Sequence, residues 1–170
     1  MNVLEAIRRK RAVRQYTEQP LSEEVVETIL RAGRRAQSSK NSQPWHFIAI
    51  RDKETLVKLS QMGDFAKHLP SATLCVAILT PDPMQRWSVM FDAGQAAAYM
   101  QIAAVEMGVG SCPVTLHRPE PARALLGFPE ELHLNVVMAF GYPSDPHAFD
   151  PASRPGGRRG VDEVIHFEHW

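Results

Sequence analysis

The sequence predicts one domain of mixed helices and strands, and three observations carry that prediction. Its 170 residues suit a single domain. Segments with helical spacing of apolar residues alternate with short apolar runs of strand length. The composition, 44% hydrophobic and 22% charged, is that of an ordinary soluble globule.

The elements follow in order. Leu4, Ile7 and Arg11 line one side of a short opening helix whose polar face carries Arg8, Arg9 and Lys10. Leu21-Ser22-Glu23-Glu24-Val25-Val26 starts a second helix: Ser22 caps it, the two acids sit in its positive first turn, and Leu21 staples to Val26. Val25, Ile29 and Ala36, with Val26 and Leu30 alongside, form its buried stripe. Residues 47–50 read as a strand, 53–61 as a short helix and 74–79 as a fully buried strand. From 88 to 107 the chain is small or apolar nearly all round, which predicts a central, closely packed helix stopped by Gly108-Val109-Gly110. A strand at 111–116, a helix at 120–126 and a strand at 134–141 complete the pattern.

From Tyr142 to Asp162 the chain loses periodicity and collects Pro143, Pro146, Pro151, Pro155 and three glycines, then regains apolar character at Val164-Ile165-His166-Phe167. This reads as an extended arm, about 142–170, that crosses a second copy and docks a terminal strand, so a homodimer is expected.

Formal net charge is zero and the sequence pI about 7.1, which argues against nucleic acid or an anionic membrane as the main partner. The first residues lack the shape of a signal peptide, and no apolar stretch is long enough to span a bilayer. Cys75 reads as a buried strand residue and Cys112 follows a turn. With no paired framework, a cytoplasmic setting is expected.

The segment with the strongest functional signal is Ser38-Ser39-Lys40-Asn41-Ser42-Gln43-Pro44-Trp45-His46-Phe47. Its hydroxyls, amides and proline mark irregular backbone with groups free to face a ligand, and Trp45 must be pinned against a core or a partner. Two basic runs, Arg8-Arg9-Lys10-Arg11 with Arg14 and Arg158-Arg159 with Arg154, have no excess of nearby acids. Such runs are ordinarily solvated. Here Arg11 and Arg14 are separated by apolar residues and followed by Tyr16, while Arg158 and Arg159 adjoin glycines that let backbone approach a ligand. Half-buried arginines want an anion, and phosphate matches their planar fork.

Several other readings fail. Gly108-Val109-Gly110 follows a helix and opens a strand, the reverse of a dinucleotide-binding turn, and serves as a helix stop. No metal-ligand spacing exists beyond His166 and His169, and Cys112 has no evident partner histidine. Anion anchors and an aromatic cleft without acid, base or nucleophile point to chemistry supplied by a cofactor, with no catalytic side chain assigned.

These residues resemble the short form of the nitroreductase family of FMN-dependent oxidoreductases. The matching blocks are Lys10-Arg11-Ala12-Val13-Arg14-Gln15-Tyr16, the stretch Ala36 to Trp45, Met107-Gly108-Val109-Gly110-Ser111-Cys112, and Leu125 to Pro143 continuing at Arg158 to His166. The resemblance implies an α+β fold, a three-layer sandwich whose central, mostly antiparallel sheet is flanked by helices, with a C-terminal arm exchanged in a dimer. It further implies that Lys10 and Arg11 meet the ribityl-phosphate of FMN, and Arg14 the N1–C2 edge of the ring. Ser38, Ser39 and Asn41 would come from the partner subunit. Backbone around Pro113, Val114 and Thr115 would face N5 and O4, and Arg158 and Arg159 would close over the phosphate.

Departures from the family pattern bear on these roles. Ala12 replaces a usual serine and removes a hydroxyl to the flavin, Lys10 gives a point charge in place of a fork, and Gln37 replaces a common proline. Pro81-Asp82-Pro83-Met84 runs almost directly into the central helix where longer relatives insert a helical pair. The implied activity is ping-pong transfer of electrons from NADH or NADPH through flavin N5 to a nitroaromatic, quinone or similar small electron-poor acceptor. The alternatives are another reaction on the same scaffold (ene reduction, dehalogenation, flavin cleavage), a non-catalytic flavin-binding redox module, or an FMN-free phosphate-binding domain.

Overall fold

In the computed structural model four strands form one antiparallel sheet in the order β1-β2-β4-β3, where β1 is His46–Ile50, β2 Leu74–Thr80, β3 Gly110–Val114 and β4 His133–Gly141. The structure describes residues 1–150 and 157–170, with the side chain of Asn135 left aside. Arg154 of the second basic run, with Pro151, Pro155 and Gly156 of the arm, lies outside the described residues.

Strand alternation explains the layers. On β2, Cys75, Ala77 and Leu79 face one core, while Leu74, Val76 and Ile78 face the other. On β4, Val137 and Ala139 share the first core, and Met138 and Phe140 the second. With both faces covered, β2 is buried at every position, as its unbroken apolar run requires. The first face is covered by α3 (Lys53–Ser60) and by α5 (Pro119–Leu126), with the 3-10 turn Leu69–Ser71 beside them. The second is covered by α2 (Glu23–Arg34) and α4 (Ser88–Glu106). The expected three-layer α+β sandwich is what the chain forms.

The local start signals act as expected. Ser22 Oγ accepts from Val25 N at 3.3 Å at the head of α2, and Asp52 accepts from Thr55 N at 2.8 Å at the head of α3. The opening helix α1 (Val3–Arg9) departs in its facing: it buries Ala6, whereas Leu4 and Ile7 are exposed. Ala6 lines an apolar groove with Ala32 and Ala103, where the small side chains let three helices approach closely. β3 ends at Val114, short of the expected 116. Beyond it the chain turns toward Met62, whose carbonyl accepts from His117 N at 2.9 Å and Arg118 N at 3.2 Å.

After α1 the segment 11–17 runs along the sheet and joins it by two isolated bridges, Ala12 with Ser111 and Tyr16 with Pro143. Gly110 and Gly141 make the close approach possible. A Cβ on Gly110 would lie 2.7 Å from the Val13 Cβ, and one on Gly141 would lie 2.9 Å from the Tyr16 ring. The chain stays against the body through Phe149, which packs with Ala148 on the first core. The terminal segment, expected as a strand docked on a second copy, follows a 3-10 turn at Val161–Glu163, and within one chain 164–167 has no strand neighbour among the described residues. A lone extended segment leaves its N–H and C=O groups without a ladder, so it takes no strand form here.

Candidate functional site

The segment that follows α1 gathers charge at one place. Lys10 is half-buried, and burial holds its ammonium below the ordinary lysine pKa; the nearby Cys112 thiol opposes that shift, while the charges of Arg158 and Arg11 add to it. Cys112 is buried beside β4, and burial pushes its thiol up; the positive charges of Arg14 and Lys10 nearby act against this. Arg14 lies as well within electrostatic reach of His68, whose imidazole is held below its ordinary value by burial first and by Arg14 second. The guanidinium of Arg11 turns back to donate to the carbonyl oxygens of Arg8 and Lys10, at the negative end of α1. Lys10, Arg11, Arg14 and Arg158 are thus neighbours within one chain, although Arg158 is distant in sequence.

None of these four cations forms an ion pair among the described residues. Lys10 and Arg11 are half-buried and Arg14 and Arg158 exposed, and Asp145 lines the pocket beside Arg14 without an ion pair to it. Cations gathered and unpaired in this way are a site for an anion. That donor set fits a ligand ending in one phosphate, such as the flavin mononucleotide the resemblance implies. Ala12 bridges to Ser111, whose hydroxyl accepts from Gln101 of α4 at 3.2 Å. Pro113 and Thr115 are exposed at the end of β3 while Val114 points into the first core, so backbone and not side chain is what this edge can offer a ligand. Arg159 is exposed beside Arg158.

The second expected element is the loop before β1. Trp45 is 7% exposed and stacks on Phe47, centroids 6.4 Å apart, so its own core covers it and no partner is needed for that. Upstream, Lys40, Asn41 and Gln43 have φ of 55°, 53° and 45°. Side chains other than glycine and asparagine resist this left-handed form by ~1–2 kcal/mol each. Ser38 Oγ accepts from Gln43 N at 2.9 Å and closes the loop. The Ser39 N–H points at Asp92 of α4, 3.2 Å from each carboxylate oxygen, and Arg86 donates to Ser42 Oγ at 2.7 Å. Ser39 and Asn41 are exposed and Ser38 half-exposed. Asp92 and Arg86 escaped sequence reasoning because nothing local marks them: they lie 53 and 44 positions from the loop residues they bind.

One chain does not unite the two elements. The loop hangs from the N-terminal half of α4 at Asp92, and the basic segment is tied through Ser111 to Gln101. Nine residues of helix between those anchors span roughly 13 Å. No hydrogen bond among the described residues links Ser38, Ser39 or Asn41 to the basic cluster.

The comparisons with known proteins bear on the family and the fold. The family model described as "Nitroreductase family" matches residues 7–69 and 67–142. A protein of Archaeoglobus fulgidus, provisionally named NADH dehydrogenase/NAD(P)H nitroreductase, is 34% identical over 176 residues, covering 98% of each chain. The NADPH-flavin oxidoreductase of Vibrio harveyi is 28% identical, covering 97% of this chain and 73% of its own. Among solved structures, an FMN-dependent nitroreductase from Clostridium difficile superposes with a TM-score of 0.84 at 25% identity, over 98% of this chain and 99% of its own. The matched span runs from α1 through β4, taking in the basic segment, the strained loop and all four strands, and the chain belongs to the nitroreductase family.

Proposed function

We propose that this chain is an FMN-dependent NAD(P)H oxidoreductase that passes electrons to a small electron-poor acceptor such as a nitroaromatic or a quinone. The observation that carries the reading is the gathering of Lys10, Arg11, Arg14 and Arg158, none of them in an ion pair among the described residues. FMN, when bound, supplies the two-electron carrier that the side chains lack. Lys10, Arg11, Arg158 and Arg159 hold its phosphate end, and Arg14 places positive charge beside the ring edge that grows negative on reduction. Backbone at Pro113, Val114 and Thr115 orients the ring's polar edge.

The remaining wall comes from a second copy. Ser38, Ser39 and Asn41 face outward, separated along α4 from their own chain's basic cluster, so a dimer in which each loop reaches the neighbour's cluster completes two sites. Two further features support an interface. Trp87 and Phe91 at the head of α4 are 77% and 66% exposed, and Phe167 and Trp170 of the tail are 86% and 101% exposed. Apolar surface on that scale ordinarily meets a partner. Electron donor and acceptor then use the same open face in turn, in ping-pong order.

Reconstitution tests this reading. The purified protein is expected to be yellow, to hold about one FMN per chain, and to oxidise NADH or NADPH when an acceptor is added. A panel of nitroaromatics, quinones, enones and halophenols separates nitro or quinone reduction from other chemistry on the scaffold. Protein that stays colourless after incubation with FMN would sink the proposal.

A further inference from the structure

Asp92 is the buried carboxylate of α4, 2% exposed, and among the described residues its side chain accepts only from the Ser39 N–H. It stands among Val89, Ala93 and Ala96, which are buried in the same helix. Its position excludes two ordinary explanations. It lies beyond the first turn of α4, whose N-cap is Trp87 without a side-chain cap bond, so it does not cap the helix. It also belongs to no ion pair among the described residues, and a buried carboxylate with one N–H donor is a poor stabiliser. What it does touch is the first residue of the 3-10 turn Ser39–Asn41, in a loop that carries three non-glycine residues at positive φ.

Arg86 holds the same loop from the other side. One of its terminal nitrogens donates to Ser42 Oγ at 2.7 Å and to the Ser39 carbonyl at 3.4 Å, while its Nε donates to Ser88 Oγ at 3.2 Å. The loop's only internal side-chain bond to backbone at normal length is Ser38 Oγ to Gln43 N, at 2.9 Å. A segment strained at Lys40 and Gln43 relaxes unless its surroundings over-determine it. Asp92 and Arg86 supply that constraint from both ends of the turn.

We propose that Asp92 and Arg86 are positioning residues: together they clamp the Ser38–Gln43 loop in its strained form, so that its hydroxyls and amides arrive already placed at the cofactor of the neighbouring subunit. This rests on the reading above that the loop lines an FMN site. Asp92→Asn keeps size and one acceptor oxygen but loses the charge that grips the Ser39 N–H. The variant relieves a buried charge and weakens the grip at once. Its signature is therefore a loosened loop without loss of global stability.

Two measurements on the full-length protein test the clamp. The first needs no cofactor: trypsin cleaves after the exposed Lys40, and release of the 1–40 fragment is followed by mass spectrometry. Asp92→Asn is expected to speed that cleavage about tenfold while the melting temperature stays level or rises. The second is FMN affinity from fluorescence quenching, where the same variant is expected to bind about tenfold more weakly. Adding Lys40→Gly, which takes positive φ without a Cβ clash, is expected to recover part of that affinity. Wild-type protein that binds no FMN would overturn the functional reading. Wild-type protein that binds FMN, with Asp92→Asn unchanged in both cleavage and affinity, would overturn the clamp. So would parallel losses of melting temperature and affinity that Lys40→Gly leaves uncorrected, since they mark a merely structural residue.

Discussion

Arg14 is the side chain whose surroundings say most about its task. Its charge acts on the Cys112 thiol and on His68, and it forms no ion pair among the described residues, so its charge is left for a ligand. Removing that charge destabilises a reduced flavin more than an oxidised one. Arg14→Ala is thus expected to lower the flavin midpoint potential by several tens of millivolts, where about 30 mV corresponds to roughly 1.4 kcal/mol for two electrons. Arg11, turned toward the end of α1, shifts the potential less; spectroelectrochemistry at saturating FMN compares the two. Arg158 approaches Lys10 from the arm, and Arg158→Ala is expected to weaken FMN by about 1–3 kcal/mol, the scale of one lost charge-assisted bond, read by titration. His68 adds a pH dependence. Burial and Arg14 hold its folded pKa below the ordinary 6.5, so the unfolded chain takes up its proton first. The stability it contributes is full above pH 6.5 and is lost as pH falls below that value. Thermal melts of His68→Leu should show a flatter acid decline than wild type.

At the scale of elements, the site depends on how closely the segment 11–17 lies on the sheet. Gly110 sits under the Val13 side chain, and a methyl there has nowhere to go because Val13 is β-branched and fixed by the Val13 N–H bond to the Ser111 carbonyl at 3.0 Å. Gly110→Ala is expected to cost about 1–3 kcal/mol by denaturant melts and to loosen the basic segment. Gly33 of α2 makes a useful contrast. A Cβ there would come nearer still, 2.2 Å from Met100 Cε, but that atom is the end of an unbranched side chain. Alanine also favours the helix by roughly 1 kcal/mol over glycine. Gly33→Ala is therefore expected to be the milder variant, and the reverse order would show that the α2–α4 contact is the more rigid one. The same reasoning explains the facing of α1, where Ala6 packs and larger neighbours stay out.

At the scale of the molecule, the chain leaves apolar surface at the head of α4 and along the tail beyond Gly160, among other places. Removing the tail tests whether they meet. A cut after Gly141 is too deep, because Tyr142 O accepts from Thr17 N at 2.8 Å and Ser144 N donates to Gln15 O at 3.1 Å, ties that hold the basic segment itself. A cut after Asp150 leaves those ties and both cores intact. The shortened chain is expected to fold, with little change in far-UV circular dichroism, and to lose both dimer and FMN. A flavin-loaded monomer by light scattering would separate the arm from assembly and return the Ser38–Asn41 loop to its own chain.

What the sequence determined by itself is what rests on short-range physics. The helix head at Ser22, the unbroken apolar run of β2, the glycine stop after α4 and the irregular loop before β1 are all set by neighbours a few residues apart, so each was legible. The basic runs were legible as concentrations of positive charge for the same reason, since charge density along the chain is a local property. Tertiary structure alone decided which distant groups meet. Asp92 reaches Ser39, Arg86 reaches Ser42, Arg14 reaches Cys112 and Arg158 reaches Lys10, and none of these pairs leaves a periodic trace in the chain. It also decided that Trp45 is covered by its own core and that Val164–Phe167 takes no strand form. A strand's stability lies in the neighbour it pairs with, and one chain's sequence carries the propensity for pairing while only the folded surroundings supply the edge.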